Sequence, residues 1–107
     1  MVSIDQFRTW ALAYPHVVEL PHFEKTSFRV KQRIFATVDI TRNQACLKLT
    51  EIEQDVFSKG SKGALYPVPN RWGKQGWTFV ELNSVTKKLC EAALRSAYET
   101  VANRSRL

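Results

Sequence analysis

The stretch Asn70-Arg71-Trp72-Gly73-Lys74-Gln75-Gly76-Trp77-Thr78-Phe79-Val80-Glu81-Leu82 changes character midway. It opens as a loop with two cations, Arg71 and Lys74, one aromatic, Trp72, and two glycines, Gly73 and Gly76. From Trp77 it alternates as a strand, with Trp77, Phe79 and Glu81 on one face and Thr78, Val80 and Leu82 on the other. A sheet strand and a basic, aromatic loop therefore meet in one segment, which marks where the scaffold presents a binding surface.

Downstream, Asn83 turns the chain and Ser84 is the expected cap of a long helix reaching about Ala102. Val85, Leu89, Ala92, Ala93, Ala97 and Val101 are its expected apolar stripe, and the alanines allow close packing on a sheet. Asn103 to Leu107 is expected to fray.

Upstream, Ala64 to Val68 reads as a short strand. Before it, Thr50 caps a helix with Glu51 and Glu53 in its first turn. Ile52, Val56 and Phe57 are its expected buried side. Lys59-Gly60 is the expected stop, the glycine taking a left-handed cap. Thr26–Val30, Arg33–Ile40 and Ala45–Leu49 are strand-like runs. Lys31-Gln32 forms a two-residue turn between the first two, which sets Phe28 opposite Phe35 and Thr26 opposite Thr37. A slip of one residue would pair Phe28 with Ala36 instead. Apolar residues on both parities of Arg33–Ile40 imply a central strand.

At the N-terminal end, Ser3 and Gln6 form a capping box for a helix over Ser3–Ala13, with Ile4, Phe7, Trp10 and Tyr14 at helical spacing. Pro15 ends it. His16 to Lys25 is a connection in which Val17, Val18 and Leu20 form a short edge strand. The order is helix, three strands, helix, two strands, helix (α-β3-α-β2-α). This is an α+β, two-layer sandwich, an antiparallel sheet with helices on one face.

The 107 residues fit one domain, 1–107. With 44% apolar and 24% charged residues the chain has a globular composition. It carries no apolar run of membrane-spanning length and no leader-like start, so a cytoplasmic protein without membrane contact is expected. Cys46 and Cys90 sit in different elements and read as free thiols, which suits a reducing compartment. His16 and His22 match no metal-ligand spacing, so neither metal nor cofactor is expected. A nucleophile needs an adjacent base, and neither cysteine has one nearby in sequence. Gly60-Ser61-Lys62-Gly63 is too short for a phosphate loop and follows a helix. No catalytic residues are assigned, and a non-enzymatic binding module is expected.

Charge carries the binding argument. The formal net charge is +6 and the pI about 9.6. From Lys25 to Val80 ten Lys and Arg face only Asp39, Glu51, Glu53 and Asp55, and no acid lies between Val56 and Val80. A solvated surface interleaves both signs, so this segregation points to a polyanion. Arg29, Lys31 and Arg33 crowd one hairpin tip, with Arg29 and Lys31 on one parity. Lys59, Lys62, Arg71 and Lys74 extend the acid-free stretch. Trp72 either stacks on an exposed base or folds back over the sheet end.

The segments Phe28-Arg29-Val30, Ile34-Phe35-Ala36, Leu47-Lys48-Leu49, Gly76-Trp77-Thr78-Phe79-Val80 and Ser96-Ala97-Tyr98 resemble those of the MmcQ/YjbR family of small bacterial proteins over nearly the whole chain. The chain departs from the family pattern at Lys31-Gln32, where many members carry glycines, and at Asn70–Gln75, where many carry a histidine-containing loop. The resemblance implies a two-layer fold like those of frataxin and of secretion chaperones. It also implies DNA binding through a double-wing arrangement. Two readings follow. One is a nucleic-acid-binding domain, for DNA rather than RNA, with low sequence preference. The other is a protein-interaction or chaperone-like module, as a homodimer, using a sheet face of Thr26, Ile34, Ala36 and Val38. A third, a small anionic ligand near Trp72 and Trp77, requires a deep pocket there.

Overall fold

The structure, a computed structural model, describes residues 1–104. The expected fraying of Asn103–Leu107 therefore lies outside the described residues from 105 onward. Ten elements follow in order: α1 (Ile4–Ala13), β1 (Val18–His22), β2 (Lys25–Val30), β3 (Arg33–Asp39), β4 (Gln44–Lys48), α2 (Glu51–Gly60), β5 (Leu65–Pro67), α3 (Arg71–Lys74), β6 (Trp77–Glu81) and α4 (Lys87–Arg104). The strands form one antiparallel sheet in the order β1-β2-β3-β4-β6-β5. The expected α+β sandwich is therefore present, with the expected edge strand found as β1 at Val18–His22 and the one-turn helix α3 added.

Helix α1 starts where the Ser3 hydroxyl accepts the Gln6 amide at 3.0 Å. It stops at Tyr14, whose φ of −75° and ψ of 148° are the extended conformation that Pro15 demands. Tyr14 stacks on Tyr98 at 4.7 Å, and the Tyr98 hydroxyl donates to the Pro15 carbonyl at 2.8 Å. These contacts pin α1 to α4. Helix α4 carries the densest buried stripe, Cys90, Ala93, Leu94, Ala97 and Val101, and packs over β2, β3 and β4. Burying Leu94 alone contributes about 1.5–3 kcal/mol. Ala92, expected in that stripe, is exposed. The cap is Thr86, whose hydroxyl accepts the Leu89 amide at 3.2 Å, rather than Ser84. Val85 is buried ahead of the helix.

The β2–β3 hairpin departs from the simple register. Val30 faces Arg33 and Arg29 faces Ile34, but a bulge follows and Phe28 faces Ala36. Ser27, not Thr26, lies opposite Thr37. The reason is visible in the sequence: Phe35 stands on one parity and Ala36 and Val38 on the other. An unbroken register would expose one of these sets. The extra residue lets Phe28, Phe35, Ala36 and Val38 all enter the core. Ala36 and Val38 are therefore unavailable to the proposed partner-binding face, and only Ile34 of that set lies on the open side with Arg29.

Helix α2 has its capping box, Thr50 with Glu53. Of its expected buried side only Phe57 packs against the core: Ile52 is 78% and Val56 61% exposed, while Gln54 is buried. Gly60 ends the helix without a left-handed cap; Ser61 follows in a right-handed conformation, and the positive φ falls on Lys62 and Gly63.

Helices α1, α2 and α4 share one side of the sheet with the core. The other side, bearing Thr37, Cys46, Trp77 and Phe79, is left open.

Candidate functional site

The sheet register decides which cations can act together. Ala36 of β3 faces Leu47 of β4, and Leu47 faces Thr78 of β6. Past these pairs the Leu49 amide donates to the Gly76 carbonyl at 3.0 Å. The β2–β3 tip, the end of β4 and α3 therefore occupy the same end of the sheet. The β3 and β6 strands are two strand spacings apart, about 10 Å. Arg29, Lys31, Arg33, Arg71, Trp72 and Lys74 gather there. Helix α2 begins at this end and runs away from it, reaching the Ala64 carbonyl, which accepts the Glu81 amide at the far end. Lys59 and Lys62 are thus separated from the other six. Lys59 is also paired with Asp55 at 3.0 Å.

Within the cluster the side chains divide. Arg29 lies flat on the open face, its Nε donating to the Ser27 hydroxyl at 3.0 Å. Lys31 sits in the turn with a φ of 53°, out of strand alternation, and its amine reaches the Ala102 carbonyl of α4 at 3.4 Å. The shared face expected for Arg29 and Lys31 is therefore lost to the turn. A cation near the C-terminal end of α4 is favourable for the helix dipole. Arg33, Arg71 and Lys74 are exposed. Among the described residues no carboxylate pairs with Arg29, Lys31, Arg33, Arg71 or Lys74.

The expected loop at Arg71–Lys74 is instead one helical turn on a tailored seat. The Asn70 side chain accepts the Trp72 amide at 2.8 Å. A Cβ on Gly73 would stand 2.0 Å from the Val68 carbonyl oxygen, and one on Gly76 1.8 Å from that of Leu49. Gly76 also has a φ of +102°. These glycines allow close approach to the protein's own backbone, not to a ligand. From beneath, the buried Gln54 amide donates among the Gly73 carbonyl at 2.9 Å, the Trp77 carbonyl at 3.1 Å and the Thr78 hydroxyl at 3.1 Å. Thr78 in turn donates to the Gly76 carbonyl at 3.0 Å. A lone glutamine in an acidic helix reads as a solvated residue, and no local signal in the sequence marks Gln54 as buried.

On the open face this seat borders a trough of about 320 Å³. Trp72, Trp77, Phe79, Ile34, Val68 and Cys46 supply its apolar walls, with Thr37, His22 and Lys25 beside them. Trp72 is 49% exposed, so it does not fold away as a lid on the core. The Arg71 guanidinium lies 5.9 Å from its ring, and the Lys48 ammonium 5.7 Å from that of Trp77. The alternation of Trp77 and Phe79 was readable as one face; that Lys25, His22 and Cys46 join them depends on the register.

Burial pushes the Cys46 thiol up to about 11, with Lys25 pulling the other way. Burial likewise pushes Cys90 up to about 12. Neither thiol carries appreciable thiolate at neutral pH. Beyond the trough, Glu81 accepts hydrogen bonds from Tyr66 and from Gln44, the latter at 2.8 Å. The carboxylate raises the Tyr66 phenol above its ordinary value. Among the described residues no group of three or more His, Cys, Asp or Glu is placed to hold a metal, and no helix is long and apolar enough to cross a membrane.

A search among curated proteins finds no match. Among solved structures, the crystal structure of the Deinococcus radiodurans protein DR2400, described with a DUF419 domain, is similar at a TM-score of 0.85 and 25% sequence identity. The match covers 98% of this chain and 82% of that one. The YjbR family model matches residues 12–100. That span takes in every strand, α2, α3 and most of α4, with only the last two residues of α1, and on it the chain belongs to the YjbR family.

Proposed function

We propose that this chain is a non-catalytic domain that binds the phosphate backbone of nucleic acid, with low sequence preference, through the basic end of its sheet. DNA is the polymer that the family resemblance implies. The observation that carries the reading is the convergence of the hairpin tip and α3 on one end, with cations that no described carboxylate pairs. Lys31, Arg33, Arg71 and Lys74 supply positive charge without a fixed base-reading geometry, which favours positioning over sequence recognition. Four phosphate contacts would give a slope of log K against log salt of about −3.6, a loss of roughly 100-fold for a fourfold rise in salt. Electrophoretic titration of duplex DNA at two salt concentrations tests this. A dissociation constant that ignores salt would defeat it.

The rival reading, a self-associating interaction module, has lost Thr26, Ala36 and Val38 from its face and keeps Ile34, which shares the open side with the aromatics of β6. It predicts a dimer in sedimentation that persists in high salt and shows no retention on heparin.

A further inference from the structure

The trough on the open face has a chemistry that backbone contacts leave unused. We propose that it takes an unpaired base of a single-stranded nucleic acid, stacked on the Trp72 indole, with the adjoining phosphates held by Arg71 and Lys25. This deepens the backbone-binding reading and rests on it.

Four observations converge. First, the walls are aromatic in the way a base requires: two indoles and the Phe79 ring open on one space. Every base offers a π-face, so such a platform tolerates any sequence. Second, Trp72 is about half exposed yet firmly seated, because Asn70, Gly73 and Gln54 fix the turn beneath it. A ring held in place before binding loses little freedom when a ligand arrives. Third, the size fits: about 320 Å³ stands at the lower end of small-ligand pockets, enough for a base and not for a helix or a duplex. Bases in a duplex have their faces covered by neighbours and cannot enter. Fourth, the rim is cationic. Lys25 lines it, the Arg71 guanidinium stands over one face of the Trp72 ring and leaves the other to a base, and no carboxylate is among the lining residues. Glu81, the acid on this face nearest in sequence to Phe79, is occupied by Tyr66 and Gln44. A purely apolar ligand would leave those cations unused, and an acidic peptide would leave the aromatic walls without flat partners.

The test compares a single-stranded oligodeoxynucleotide with its own duplex, read by quenching of tryptophan emission and by gel shift. The protein is wild type, Trp72→Ala or Trp72→Phe, with circular dichroism as the folding check. The expected result is that Trp72→Ala weakens single-strand binding by about 5- to 150-fold and duplex binding far less, while Trp72→Phe restores most of the loss. If Trp72→Ala changes neither affinity, or both equally, while charge reversal at Lys31 and Arg33 still abolishes duplex binding, the trough assignment is wrong and the backbone reading stands. If the wild-type chain binds neither polymer at low salt, both fall. Salt-resistant dimerisation that protects Trp72 from quenching would assign the trough to a second copy and overturn the proposal. Should Trp72→Ala unfold, Trp72→Phe and Arg71→Ala carry the comparison: parity of both with wild type on the single strand overturns it.

Discussion

Replacing Gln54 by leucine tests how the candidate surface is held. The side chains are close in volume, so the change removes hydrogen bonds with little change in packing. Gln54 has two amide hydrogens shared among three acceptors, on Gly73, Trp77 and Thr78. None of the acceptors is orphaned by the change. Gly73 still accepts from Gly76, Trp77 still accepts from Val68, and the Thr78 hydroxyl still donates to Gly76. The cost is therefore the two lost bonds, about 1 kcal/mol each and about 2 kcal/mol together, without a further penalty for stranded polar groups. For a domain of this size that is a fall in Tm of about 10 °C. The assay is thermal unfolding by circular dichroism, with Thr78→Val and the double variant completing a cycle. The two single changes should couple by about 0.5 kcal/mol or more, because they share one bond. Acrylamide quenching should also rise at Trp72, as the turn under it loosens. A melting temperature within about 2 °C of wild type, or strict additivity in the cycle, would refute the claim that Gln54 clamps α2 to α3 and β6.

Other expectations follow from the same geometry. Gly76→Ala places a methyl group 1.8 Å from the Leu49 carbonyl oxygen at a φ of +102°. It should cost about 4 kcal/mol or more, and soluble expression with a wild-type melt would contradict this. Gln32 holds a φ of 69° without being glycine. Gln32→Gly should therefore stabilise by about 1 kcal/mol, a rise of about 4–8 °C, measured by the same melt. Both thiols are raised by burial, to about 11 and about 12. The folded state therefore holds these protons more tightly than the unfolded chain does. The stability this gives is fully present below the thiols' ordinary range near pH 9 and is lost as pH rises through 11 and 12. Denaturant titrations across that range, with Cys46→Ala and Cys90→Ala as controls, should show the fall flatten in the variants. Iodoacetamide at pH 8 should label neither thiol rapidly in the native protein, as mass spectrometry would report.

Much of the architecture was legible because local signals agreed with one another. Ser3, Thr50 and Pro15 set helix boundaries by steric and capping rules that need no tertiary context. The alternation from Trp77 to Leu82 named both faces of β6 correctly. What stayed hidden depended on contacts across the chain. The bulge at Phe28 and Arg29 follows from competition between two apolar parities, and sequence alone does not say which side yields. Helix α2 turns Gln54 rather than Ile52 toward the core because acceptors on α3 and β6 await it, and those are distant in sequence. The turn at Arg71–Lys74 is helical because Asn70 caps it and Gly73 fits under Val68, a contact visible only after folding. Charge and composition alone mark the eight candidate residues in the sequence. Six converge, whereas Lys59 and Lys62 are carried to the opposite end by the direction of α2.

That division sets up the most direct test of the central claim. Duplex DNA binding would be measured by electrophoretic titration as a function of salt for wild type, for Lys31→Glu/Arg33→Glu/Arg71→Glu/Lys74→Glu, and for Lys59→Glu/Lys62→Glu. The account predicts a wild-type slope of about −3.6, loss of binding in the first variant, and near-wild-type affinity and slope in the second. Equal losses in both variants would mean that net charge alone drives association. Intact binding in the fourfold variant would mean that the basic end of the sheet is not the binding surface.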